Sequence, residues 1–376
     1  MRLVQRVVVK VGSSSLTHET GRLDLDRIER LARELSDLAA SGKQIVLVSS
    51  GAVAAGLGKL GLSERPKTIP EKQAVAAVGQ VALMHVYSKI FSEYSQTVAQ
   101  VLLTREDTVD RKRCVNSLTT LTTLLSMGVI PIVNENDAVA VDELKIGEND
   151  SLSAMVASLV GADLLIILSD IDGLYTANPK DHPEATLVES VAEITEAVES
   201  SCGLAGSGRG TGGMVTKVQA AKIATSSGIP MVIANSGSPR VLHRILEGES
   251  VGTLFLASPN APGFRKRWLS FGAKVEGSLK VDKGAETSLI SSGRSLLPAG
   301  IVEVMGDFSQ GDAVSVVSES SGREIARGIA NYSADEFKLI RGKKSDEISA
   351  ILGYKAYDEA IHRDHLALLV QERTPA

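Results

Sequence analysis

Several short segments of this sequence set cations, hydroxyls or carboxylates beside glycines. The longest is Ser207-Gly208-Arg209-Gly210-Thr211-Gly212-Gly213-Met214-Val215-Thr216-Lys217, which opens into the helical run Val218 to Ala224. Glycines let a backbone approach phosphate closely, and the start of the following helix offers unpaired N–H groups and a positive dipole end to an anion. Lys217, about one turn in, is placed to reach a terminal phosphate. A flexible surface loop has the same glycine content, so composition alone leaves both readings open. The GxGxxG spacing at Gly208, Gly210 and Gly213 lacks the strand before it and the acidic residue about 20 positions later that a dinucleotide site needs. No GxxxxGK[ST] occurs either, which excludes a P-loop.

Lys10 interrupts an apolar strand, where an ammonium must snorkel to water or meet an anion. Gly12-Ser13-Ser14-Ser15 follows it, and Ser49-Ser50-Gly51-Ala52 repeats the small-residue turn after the next strand. There Gly51 permits close backbone approach and the hydroxyl of Ser50 adds a donor. Asn134-Glu135-Asn136-Asp137 and Gly147-Glu148-Asn149-Asp150-Ser151 bracket a loop ahead of the helical run Leu152 to Val160. Asp137 suits a substrate ammonium, Asn149 offers a donor and an acceptor, and Asp150 either caps the helix or anchors the lysines. Ser169-Asp170-Ile171-Asp172-Gly173-Leu174-Tyr175 closes a further strand with a polar turn fit for a base or ribose. The six histidines fall outside these segments and receive no catalytic role.

These segments need strand ends to hold them. Val7 to Val11, Ile45 to Val48, Thr97 to Leu103, Val129 to Val133, Leu164 to Leu168 and Met231 to Ala234 read as strands, each opening into polar or glycine-bearing residues. Helical spacing runs between them, as at Leu25, Ile28, Leu31, Leu35 and Leu38. The alternation predicts a three-layer αβα sandwich with a mainly parallel central sheet, whose ligands bind beyond the strand C-termini. Pro259, Pro262 and Gly263 mark a linker over 259–274, giving a first domain over 1–258. Residues 275–353 carry short strands and frequent turns, which predicts a small β-barrel-like domain. A tail over 354–376, with Ala360, Ile361, Leu366, Leu368 and Leu369 loosely spaced, is expected to form a packing helix.

The whole chain of 376 residues carries a formal net charge of −5 and holds two cysteines, Cys114 and Cys202, with no metal-ligand spacing around them. The apolar run Leu164 to Leu168 is too short to span a bilayer and no leader pattern opens the chain, so a cytoplasmic protein without membrane contact is expected. Residues 275–353 hold 9 Lys and Arg against 12 Asp and Glu, which disfavours a nucleic-acid footprint.

Taken in order, Val8-Val9-Lys10-Val11-Gly12-Ser13, Val48-Ser49-Ser50-Gly51-Ala52, Asn134-Glu135-Asn136-Asp137, Gly147-x-Asn149-Asp150, Ser169-Asp170-x-x-Gly173-Leu174-Tyr175 and Gly210-Thr211-Gly212-Gly213-Met214-x-Thr216-Lys217 resemble the amino acid kinase superfamily, and within it the glutamate 5-kinase family. Gly277-Ser278-Leu279, Ser295-Leu296-Leu297-Pro298-x-Gly300 and Gly322 to Gly328 resemble a PUA domain, which argues against the acetylglutamate, aspartate, carbamate and uridylate kinases of the superfamily. The resemblance implies transfer of the ATP γ-phosphoryl group to the side-chain carboxylate of glutamate, as the first step of proline biosynthesis. It implies that Ser50, Asp137 and Asn149 bind glutamate, and that Lys10, Ser169, Asp170 and Thr211, Gly212, Gly213, Met214, Val215, Thr216 and Lys217 bind ATP. Asp150 matches an essential aspartate. Mg²⁺, inhibition by proline, a tetramer or dimer of identical chains, and handover to a glutamyl phosphate reductase are further implications, while no residue is assigned to the metal.

The chemistry agrees with the residue types. A glutamate side chain, with a reference pKa of about 4.3, is already ionised at neutral pH and needs no general base. Two anions must then be brought in line and their charge cancelled, which Lys10 and Lys217 flanking the phosphoryl group, oriented by Asp150, are expected to do.

Overall fold

The computed structural model describes residues 4–18, 22–62, 64, 66–140, 149–179, 182–201, 213–258 and 275–369. The chain divides into two compact units, Met1–Ala261 and Pro262–Ala376. The expected linker over 259–274 lies outside the described residues, as do Thr211 and Gly212.

Unit one is built on an eight-stranded sheet. Its strands are β1 (Arg6–Val11), β2 (Gln44–Ser49), β3 (Val98–Leu103), β4 (Ile130–Glu135), β5 (Leu164–Ser169), β6 (Ser190–Val191), β7 (Met231–Asn235) and β8 (Thr253–Phe255), in the spatial order β3-β4-β2-β1-β5-β7-β8-β6. Every pairing is parallel except β7 with β8. Successive residues of a strand face opposite sides, and the two sides feed two cores. Val7, Val9 and Val11 pack with Ile45, Leu47, Ile166 and Leu168 under the helices Leu25–Ala40, Ile69–Glu93 and Val241–Glu247. Val8 packs with Val46, Val48, Leu165 and Ile167 against the helices Arg111–Ser126, Asn149–Val160 and Met214–Ser226. Lys10 shares the parity of Val8, so its side chain leaves the sheet on the side where the last two helices begin.

The long helix Ile69–Glu93 has the length and hydropathy of a membrane span. Here Val75, Leu83, Tyr87 and Phe91 are buried in the sandwich. Two glycines bring it onto the helix Ala52–Leu60: a Cβ on Gly79 would lie 1.7 Å from the Ala52 carbonyl oxygen, and one on Gly56 would lie 2.0 Å from that of Val75. No other residue type permits this approach.

Unit two holds a five-stranded sheet. Its strands β9 (Gly277–Val281), β10 (Ile301–Gly306), β11 (Ala313–Ser318), β12 (Glu324–Ile329) and β13 (Leu366–Leu368) follow the order β10-β9-β11-β12-β13, with β9 and β11 parallel. Its core gathers Leu279, Val316, Ile325, Tyr332 and Phe337. The tail corrects the expected packing helix: it forms a 3-10 turn, Arg363–His365, and then β13, which pairs antiparallel with β12. The apolar residues at 360, 361, 366 and 368 do not sustain a 3.6-residue period, and the free edge of β12 gives Leu366 to Leu368 a backbone partner that a helix would leave unused. Gly328 clears the way for this return, since a Cβ there would lie 2.5 Å from Ile361 Cγ2.

Candidate active site

The C-terminal ends of β1, β2, β4 and β5 open toward the starts of two helices. Asp150 is the second residue of the helix Asn149–Val160, and its side chain is completely buried. Lys10 reaches it from β1 and forms an ion pair with Oδ1. Lys217, in the first turn of the helix Met214–Ser226, donates to Oδ2 at 3.3 Å. The Thr216 hydroxyl stands 3.0 Å from the same oxygen and 2.8 Å from the Gly213 carbonyl, so its single proton serves one of them at a time. Burial pushes the Asp150 carboxyl up, but the Lys10 and Lys217 ammonium groups, with the hydrogen bonds from Lys10 and Thr216, outweigh it and hold the carboxyl below its ordinary value. A lysine in the first turn of a helix sits at the positive end of the dipole, against local preference. Tertiary placement on Asp150 overrides that preference.

Beside Asp150, Asn149 joins a second cluster. Its Nδ2, with two hydrogens to donate, lies 3.2 Å from the Ser49 carbonyl, 2.8 Å from Ser50 Oγ and 2.8 Å from Asn134 Oδ1. Gly51 takes φ of 106° as the N-cap of the helix Ala52–Leu60, a conformation that a side chain disfavours. Asp137 lies, half-buried, in the turn after β4, three residues beyond Asn134.

Ser169 ends β5 and Asp170 follows it, with the Ser169 hydroxyl donating to Asp170 Oδ1 at 3.1 Å. Among the described residues no hydrogen bond joins them to the lysine cluster. The turn after them is pinned: Leu174 N–H donates to Thr253 Oγ1 at 2.8 Å, and a Cβ on Gly173 would lie 2.5 Å from that oxygen. Met214 packs against the core while Val215 is exposed.

A helix outside the sequence expectations, Ile69–Glu93, supports these groups. Gln73, Gln80 and Tyr87 are spaced seven residues apart along Ile69–Glu93, so they form one stripe. Gln73 Nε2 donates to the Ala140 carbonyl at 3.1 Å, Gln80 Oε1 accepts from Asn134 Nδ2 at 2.8 Å, and the Tyr87 hydroxyl meets Ser49 Oγ at 2.8 Å. Burial holds the Tyr87 phenol well above its ordinary range, so it remains protonated. The heptad spacing of these three polar residues, with apolar residues between them from Ala74 to Val86 apart from His85, is the signal the sequence holds.

The profile of the amino acid kinase family matches residues 5–235. This chain belongs to the amino acid kinase family. A PUA domain profile matches residues 277–352 in addition. Among curated relatives of this amino acid kinase, a glutamate 5-kinase of Moorella thermoacetica is 54% identical over 97% of the chain and 96% of the relative. A glutamate 5-kinase of Carboxydothermus hydrogenoformans is 53% identical over 98% and 99%. One of Geobacter sp. strain M21 is 50% identical over the same shares.

Proposed function

We propose that the chain phosphorylates the side-chain carboxylate of L-glutamate with ATP, giving L-glutamyl 5-phosphate and ADP. The observation that carries this reading is the gathering of Lys10 and Lys217 on one buried carboxylate, at the start of two helices and next to the Asn149 and Ser50 cluster. A glutamate carboxylate oxygen attacks the γ-phosphorus, and the bond from that phosphorus to the bridging oxygen breaks as ADP leaves. No proton moves, because the nucleophile is already ionised.

In this reading the two ammonium groups lie along the path of the transferred phosphoryl group and cancel its charge, and Asp150 fixes their directions by charge-assisted hydrogen bonds. Gly213 and Thr216 place the start of the second helix against the nucleotide phosphates. Ser50, Asn149 and Asp137 hold glutamate, and the pinned turn from Ser169 to Tyr175 holds the nucleoside. Among the described residues no group of carboxylates, histidines or cysteines would cage a metal ion by itself. Mg²⁺, when bound with the nucleotide, would supply positive charge against the phosphate oxygens, as this small cation commonly does.

Inhibition by proline, assembly of identical chains into dimers or tetramers, a cytoplasmic setting and handover of the labile acyl phosphate to a glutamyl phosphate reductase belong to the same proposal. They rest on resemblance to the relatives.

Replacing Lys217 by Ala tests the role of the cluster. The expected outcome is a kcat lower by about 10²–10³ with a KM for glutamate within a few fold, since the lost interaction strengthens only as charge develops. A raised KM with an unchanged kcat contradicts it.

A further inference from the structure

The amide network under the site has a fixed sense. A backbone N–H can only donate, so the Asn134 atom that faces Glu135 N at 2.9 Å is Oδ1. Asn134 Nδ2 then points away from it and needs an acceptor, which Gln80 Oε1 supplies at 2.8 Å. A carbonyl can only accept, so the Asn149 atom that faces the Ser49 carbonyl at 3.2 Å is Nδ2. The same Nδ2 meets Asn134 Oδ1 at 2.8 Å. Both hydrogens of the Asn149 amide are thus directed into the protein, and its Oδ1 is the atom not spent on this network.

We propose that Gln80 is a positioning residue for substrate recognition: through Asn134 it holds Asn149 so that its Oδ1 faces the substrate as an acceptor for the ammonium of the amino acid. This rests on the kinase reading above and deepens it. Asn134 is almost fully buried, so it cannot turn to water when its Nδ2 acceptor is removed. The amide must then rotate or shift, and the acceptor for Asn149 moves with it. Gln80 sits one residue from Gly79, where the long helix is wedged against Ala52, so the backbone that carries it has little room to move.

The test compares glutamate with glutarate, the same dicarboxylate without an ammonium. Gln80→Leu is expected to lower kcat/KM for glutamate about tenfold through KM, leaving kcat and the KM for ATP within about twofold. Glutarate, which offers no ammonium to Asn149, keeps its kcat/KM. Gln80→Glu retains an acceptor toward Asn134 and restores the glutamate KM to within about threefold of the unmodified chain. The proposal is overturned where glutamate and glutarate fall in parallel, where neither changes, or where Gln80→Glu behaves as Gln80→Leu. An unmodified chain that phosphorylates neither acid overturns the kinase reading itself and this inference with it, an outcome distinct from an active enzyme with the wrong variant pattern.

Discussion

At Asp150 two demands meet in one side chain. A buried carboxylate is costly unless it is paired, and here the pairing partners are the two lysines proposed to act on the phosphoryl group. Asp150→Asn keeps the shape but removes the charge that directs both ammonium groups, so kcat is expected to fall about 10²-fold. The pH dependence has a definite sign. The folded carboxyl is held below its ordinary 3.8, so the stability it contributes is complete above that value and is lost as pH falls through the lower folded one. Urea unfolding between pH 7 and pH 3 should therefore show the unmodified chain losing stability relative to Asp150→Asn only in the acid part of the range. An unchanged difference throughout would mean that the carboxyl titrates alike in the folded and unfolded chains, and a gain of stability in acid would mean that it is protonated when folded. Lys10 and Asp150 were each open to two readings in the sequence, a solvated lysine and a helix cap. Neither residue type nor spacing states that a side chain from β1 and one from a helix 140 residues later share a buried pair.

At the scale of elements, six strands are legible as short apolar runs, five of them because strands buried on both faces read that way and β3, at the sheet edge and mostly half-buried, because its residues are still largely apolar. β6 and β8, of two and three residues, left no such run. The helix Ile69–Glu93 has a different history. Its apolar residues spread around its whole circumference, so no single face announced itself, and its Gln73, Gln80 and Tyr87 stripe gains meaning only once β2 and β4 lie beside it. Gly79→Ala forces the two helices apart, with an expected loss of about 1–3 kcal/mol in urea unfolding and a raised KM for glutamate. Stability equal to that of the unmodified chain would show that the contact is not tight. On the nucleotide side, Gly173→Ala collides with Thr253 and displaces the turn that follows β5. Steady-state kinetics should give a KM for ATP raised about tenfold with the KM for glutamate little changed. An effect confined to glutamate would move that turn out of the nucleotide site.

For the molecule as a whole, the two units keep separate cores, and the groups proposed for phosphoryl transfer all lie in the first. Deleting residues 366–376 removes β13 and bares the edge of β12, so the second unit should melt earlier while the KM for glutamate stays within about twofold. A collapse of activity in parallel would tie the tail to the site. The negative balance of residues 275–353 speaks against a phosphate-backbone footprint, and a salt-sensitive shift of RNA in a gel would argue for one. The tail strand is not legible in the sequence, because a strand completed by a distant edge has no local period of its own.

The acceptor proposed for the phosphoryl group is the side-chain carboxylate of free glutamate. Hydroxylamine converts an acyl phosphate to a stable hydroxamate, so the direct measurement is trapping with ATP and Mg²⁺ in parallel reactions on glutamate, N-acetylglutamate and aspartate. Hydroxamate is expected from glutamate, with little from the other two. Turnover only with the acylated substrate, or only with aspartate, would contradict it.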